Sequence, residues 1–100
     1  MNIQITDSRT CLVTGLQELV AANAAAVRDQ IRATLPATCL CLELDLSTLT
    51  FLDSSGLGAL VSLNKTLRQR DGAVRLLQPA PNIRLLLELT RLNAIFEITP

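Results

Sequence analysis

The chain contains no histidine, no tryptophan and no tyrosine, and these absences remove whole classes of chemistry. Without histidine there is no Ser-His or Cys-His pair to activate a nucleophile. The three cysteines, Cys11, Cys39 and Cys41, are not spaced like zinc ligands and have no imidazole to join them. No metal or cofactor is therefore expected. Aromatic residues are 2% of the chain, too few for a platform that stacks single-stranded nucleic acid. Nine basic and nine acidic residues leave no excess charge to attract nucleic acid or an anionic membrane. No apolar run approaches the roughly 18 residues of a membrane span. Met1-Asn2-Ile3-Gln4 lacks the basic start of a signal peptide, so cytoplasmic residence is expected. An odd number of cysteines suits a reducing compartment. Their simplest role is as small apolar fillers.

What is present is aliphatic. Apolar residues make up 49% of 100 residues, enough for one domain, residues 1–100, with a core of Leu, Ile, Val and Ala. Ile3 and Ile5 alternate with polar neighbours as a first strand, and Thr10 to Thr14 follows as a second. The turn-rich Asp7-Ser8-Arg9 makes these two a hairpin. Gly15 to Ala22 has no clear period. Val20, Ala24, Val27, Ile31 and Leu35 recur at helical spacing, with Asn23 as the expected cap and Pro36 as the stop. From Thr38 to Leu46 the period is two: Leu40, Leu42, Leu44 and Leu46 face one way, and Cys39, Cys41, Glu43 and Asp45 the other. Paired acids on one face suggest either acid-base chemistry or simple solvation and loop capping.

Ser47 to Leu52 reads as a loop anchored by Phe51. A second helix runs from Ser54 or Ser55 to Arg70, with Leu57, Leu60, Val61, Leu63 and Leu67 as its stripe and Gly72 as its left-handed closing residue. Val74 to Leu77 is a further strand. Pro79-Ala80-Pro81 ends it, and Asn82 is placed to cap a third helix. That helix bears apolar residues round much of its girth: Ile83, Leu85, Leu86, Leu87, Leu89 and Leu92. Ile95 to Ile98 is the last strand. The order β-β-α-β-α-β-α-β predicts an α/β fold, a mixed sheet of about five strands crossed by right-handed connections.

The join between the third strand and the second helix is Phe51-Leu52-Asp53-Ser54-Ser55-Gly56-Leu57-Gly58. Gly56-Leu57-Gly58 opens a G-x-G-x-x-G pattern, but Val61 stands at the third glycine, and no Gly-Lys-Ser/Thr follows. A G-x-S-x-G elbow is absent. One reading is a capped helix, with Asp53, Ser54 or Ser55 accepting a backbone N–H and Gly56 and Gly58 allowing close packing. Another is an anion site: a helix start presents free N–H groups and a positive dipole end, and a hydroxyl there can be phosphorylated.

Leu44-Asp45-Leu46, Phe51 and Asp53-Ser54-Ser55-Gly56-Leu57-Gly58 together resemble the signature of the STAS domain. Pro81, Arg84, Leu86, Leu89, Leu92, Phe96 and Ile98 are similar to the family's third helix and last strand. The resemblance implies a non-enzymatic anti-sigma factor antagonist. In that branch the first serine after the aspartate, here Ser54, is phosphorylated by a partner that is both anti-sigma factor and serine kinase. The unphosphorylated form binds that partner, phosphorylation releases it, and a metal-dependent phosphatase of the PP2C type restores binding. Asp53 would then orient or be recognised, Ser55 would cap, and Gly56 would flank the site. The face carrying Ser62, Lys65, Thr66 and Gln69 is a candidate for partner contact. The same resemblance allows an alternative, an accessory or scaffold subunit of a transporter or signalling complex without a phosphoswitch. Two positions depart from the family pattern: Val20 replaces an acid near the phosphorylation site, and Arg91 replaces a glycine after the third helix. A left-handed Arg91 would cost about 1 kcal/mol.

Overall fold

The computed structural model describes residues 1–100. Strands β1 (Asn2–Ile5) and β2 (Thr10–Thr14) form the expected antiparallel hairpin, with Asn2 opposite Thr14 and Ile5 opposite Cys11. Strands β4 (Cys41–Asp45), β6 (Ala73–Leu77) and β7 (Glu97–Thr99) then add in parallel, giving the sheet order β1-β2-β4-β6-β7. Helices α1 (Ala24–Thr34), α2 (Ser54–Arg68) and α3 (Pro81–Leu89) are the crossovers. Each parallel strand is added on the same side of its predecessor. Right-handed connections therefore lay all three helices on one face of the sheet.

That arrangement explains the burial pattern. Val13, Leu42, Leu44, Val74 and Leu76 alternate along their strands and are fully buried. They meet Ile31 of α1, Leu60, Leu63 and Leu67 of α2, and Ile83 and Leu87 of α3 in one continuous core. On the opposite face the paired acids have separate structural duties. Glu43, Arg75 and Glu97 share one register across three neighbouring strands. The Arg75 guanidinium lies 3.2 Å from Glu43 and 3.4 Å from Glu97. Asp45 instead accepts the Ser47 N–H at 2.9 Å and braces the turn after β4.

The structure corrects several expectations. The left-handed residue after α2 is Asp71 (φ 58°), one place before Gly72. The Gly72 N–H reaches back to the Leu67 carbonyl at 2.8 Å and that of Asp71 to Arg68 at 3.1 Å, which closes the helix with its two orphan carbonyls satisfied. Gly72 is needed for a different reason: a Cβ there would collide with the Leu40 carbonyl. Ala80 occupies the N-cap position of α3 without a side-chain cap, Pro81 stands in its first turn, and Asn82 does not cap it. Its girth is less buried than its composition suggests, since Leu85 and Leu89 are 54% and 73% exposed. Only the Ile83–Leu87 stripe faces the sheet. Cys39 lies before β4 proper and is buried, not on the open face. Burial, helped by the neighbouring Cys11 thiol, pushes its own thiol up to about 11, as suits an unreactive filler. Arg91 is left-handed (φ 60°), the conformation expected to cost about 1 kcal/mol there.

Candidate functional site at the start of the second helix

The two stretches with no clear period, Gly15–Ala22 and Ser47–Leu52, are each other's partners. Strand β3 (Glu18–Leu19) pairs in parallel with β5 (Phe51–Leu52), Glu18 opposite Phe51 and Leu19 opposite Leu52. Neither two-residue strand could show a period. Around the pair, the Thr48 hydroxyl donates to the Leu16 carbonyl at 2.8 Å and the Thr50 N–H to that of Gln17 at 3.0 Å. Leu16, Leu19 and Leu49 sink into the core and pin the assembly. The hydrophobic anchor of the second stretch is thus Leu49. Phe51 is 65% exposed, because strand alternation turns Leu52 inward and Phe51 out.

This small sheet delivers Asp53 to the start of α2. Asp53 is the N-cap, in extended conformation, and its Oδ1 accepts the Gly56 N–H at 3.0 Å. Its Oδ2 accepts the Ala21 N–H at 2.9 Å, and its own N–H donates to the Leu19 carbonyl at 3.2 Å. One carboxylate therefore caps the helix and ties down the loop after β3. The Gly56 N–H first, then those of Ala21 and Ser55, hold the Asp53 carboxyl below the usual carboxylate range. The cap expected at Ser55 is taken by Asp53, and Ser54 and Ser55 are left exposed. Gly56 is buried under the Leu19 carbonyl, which a Cβ would strike, together with the Leu52 side chain. Gly58, by contrast, is exposed with open space around it, so close packing explains only the first of the two glycines.

The structure brings together Asp53, Ser54, Ser55 and Gly56 with the loop after β3, including Val20 and Ala21. The Val20 N–H is held by the Asn23 side chain at 2.9 Å. Asn23 precedes α1 as expected, but its amide braces this loop, also donating to the Glu18 carbonyl at 2.9 Å, and does not cap the helix. Ser62, Lys65, Thr66 and Gln69 are not part of this cluster. They lie two to four turns along α2, roughly 12–22 Å from Ser54 at 1.5 Å per residue. Two members of the site had no periodic signal in the sequence. Phe51 is conspicuous only once its exposure is known, and Ala21 contributes a backbone N–H that no side chain advertises.

No helix of the protein is long and apolar enough to cross a membrane. The model of the STAS domain family matches residues 2–100. The anti-sigma-B factor antagonist of Listeria monocytogenes is 33% identical over 104 residues, covering 98% of this chain and 90% of that protein. A solved anti-sigma factor antagonist from Mycobacterium paratuberculosis is 26% identical, with a TM-score of 0.84 over 99% of this chain and 83% of that one. The anti-sigma factor antagonist SpoIIAA of Bacillus shares the fold at 20% identity. It matches in its unphosphorylated form with a TM-score of 0.82, over 99% of this chain and 87% of that one. Its phosphorylated form matches with a TM-score of 0.76, over 99% of this chain and 90% of that one. With its five-stranded mixed sheet, its three helices on one face and its Asp-Ser-Ser-Gly helix start, the chain belongs to the STAS domain family.

Proposed function

We propose that this protein is an anti-sigma factor antagonist, a cytoplasmic non-enzyme switched by phosphorylation of Ser54. The unphosphorylated form binds an anti-sigma factor that is also its serine kinase, and a PP2C-type phosphatase reverses the modification. The observation that carries the reading is local. Ser54 is the first residue of α2, exposed, at a helix start where the Asp53 carboxylate already holds the Gly56 N–H. A phosphate adds about −1.5 to −2 charge at neutral pH. Because Ser54 is exposed and Asp53 occupies the cap position, that charge is presented outward. Pressed against a partner it adds like-charge repulsion and a large desolvation cost. Left in water it disturbs nothing in the core. The relatives' names support the role, and the matching fold of SpoIIAA in both phosphorylation states supports a switch that acts at a surface.

The surface so switched includes Phe51, an exposed aromatic two residues before Asp53 and three before Ser54. Aromatic anchors of this kind often dominate binding energy. The test uses the cognate anti-sigma kinase with ATP and mass spectrometry. One phosphate is expected on Ser54, and none on Ser54→Ala, which should still bind. Ser54→Asp and Phe51→Ala should weaken binding about tenfold or more while leaving the fold intact. Modification confined to another residue would falsify the assignment.

A further inference from the structure

Helices α1 and α2 run side by side and leave a polar cleft of about 400 Å³ between them, lined by Arg32, Ser62, Lys65, Thr66, Gln69 and Arg70. No apolar side chain and no carboxylate lines it. This composition is unusual for a groove between packed helices, which normally closes on apolar contacts.

Part of the charge has a structural explanation. Both helices point their C-terminal ends this way, and cations favour that end of a helix dipole. The amount is nonetheless too large. Two helix ends supply roughly −0.5 each, about −1 together, against three lining cations. The surplus is about +2. The nearest carboxylates in sequence do not cancel it. Asp29, which also feels the Arg32 charge, is paired with Arg28 at 2.9 Å and does not line the cleft. Asp71 is exposed and does not line the cleft.

The cations are also set in place. Arg70 Nη1 donates to the Pro36 carbonyl at 2.9 Å. Arg32 Nη2 donates to the Ser62 hydroxyl, and Arg32 Nε is buried without an acceptor. Because Ser62 Oγ accepts from Arg32, its own proton is free to be donated. Thr66 spends its hydroxyl proton on the Ser62 carbonyl at 3.2 Å and serves as wall. Lys65 is exposed and makes no ion pair, so its ammonium is an uncommitted charge.

We propose that this cleft binds a dianionic oxyanion of the phosphate-monoester class, whose charge of about −1.5 to −2 matches the surplus. Lys65 and the guanidinium of Arg32 supply the charge-assisted contacts, and Ser62 and Gln69 complete the donors. The phosphate comes either from a small ester or from a phosphorylated residue of another protein. The site stands about 12–22 Å along α2 from Ser54 and does not depend on that residue's role.

The test is an NMR titration of the ¹⁵N-labelled full chain at constant ionic strength, with sodium chloride as the reference salt. The probes are inorganic phosphate, O-phosphoserine and a phosphoserine peptide. Saturable shifts are expected at the amides of Ser62, Lys65 and Gln69 and at Arg32 Nε. Lys65→Gln, an exposed change that leaves the fold intact, should weaken binding about tenfold or more. Arg68→Gln, on the same helix outside the cleft, and Ser54→Ala should bind as the parent does. Peptide binding tighter than O-phosphoserine assigns a protein source, and the reverse order a small ester. Shifts that fail to saturate, that chloride reproduces, or that Lys65→Gln leaves unchanged overturn the proposal.

Discussion

Asp53 does three jobs with one carboxylate and one N–H: it caps α2, holds Ala21 and secures Leu19. All depend on the ionised form or on the backbone beside it, so acid should undo part of them. The folded-state pKa is depressed below the unfolded value of about 3.9. Its contribution is therefore complete above that value and is lost as pH falls through the folded one. Asn at this position keeps the bond from Gly56 but cannot accept from Ala21 with its amide nitrogen. Asp53→Asn should lower the midpoint of urea unfolding at neutral pH. The gap from the parent should close as the pH is taken below about 4. A gap constant with pH would refute this account. The two glycines that follow should separate as cleanly. Gly56→Ala drives a methyl into the Leu19 carbonyl and should be destabilising. Gly58→Ala meets nothing and should stabilise by about 1 kcal/mol through helix propensity alone. Thermal unfolding of the two variants decides it.

At the scale of elements, what was legible in the sequence follows the length of the periodic segments. Strand β4 and helix α2 are long enough for alternation and a stripe to be read, and the Leu42-Leu44 and Leu60-Leu63-Leu67 positions are core as expected. Strands β3 and β5 are two residues each, and their identity rests on pairing across 33 positions, which no local pattern encodes. The position of Ser54 at a helix start was legible. The identity of the cap was not, because Asp, Ser and Ser are all good caps and only the path of the Ala21 loop selects Asp53. Composition misled most at α3, where six apolar residues suggested burial over much of its girth. The helix lies on the sheet through one stripe, so Leu85 and Leu89 stay in water. Helix α2 and helix α3 should accordingly answer truncation differently. Leu63→Ala, fully buried, should cost about 2–5 kcal/mol. Leu89→Ala, 73% exposed, should lie within about 0.5 kcal/mol of the parent in a denaturant titration.

The whole molecule divides its two faces by task. One carries three helices and the entire core; the other carries the Glu43–Arg75–Glu97 ladder and no covering layer. The site at Ser54 belongs to the covered side yet stands at its rim, held there by the β3–β5 pair. That pair joins segments separated by the whole of α1 and β4, so its loop cannot close cheaply until those elements have docked. The consequence concerns time. If the larger β2–β4 pairing forms first, the Ser54 surface is expected to assemble last, and a chain that has collapsed but not finished folding would not yet display it. A kinase that requires Asp53 seated against Ala21 would thus act on completed molecules and pass over immature ones. In pulse-labelling hydrogen exchange during refolding, protection of the Ala21 and Asp53 amides should lag behind that of Leu42 and Leu44. Simultaneous protection would show that the Ser54 surface forms together with the core.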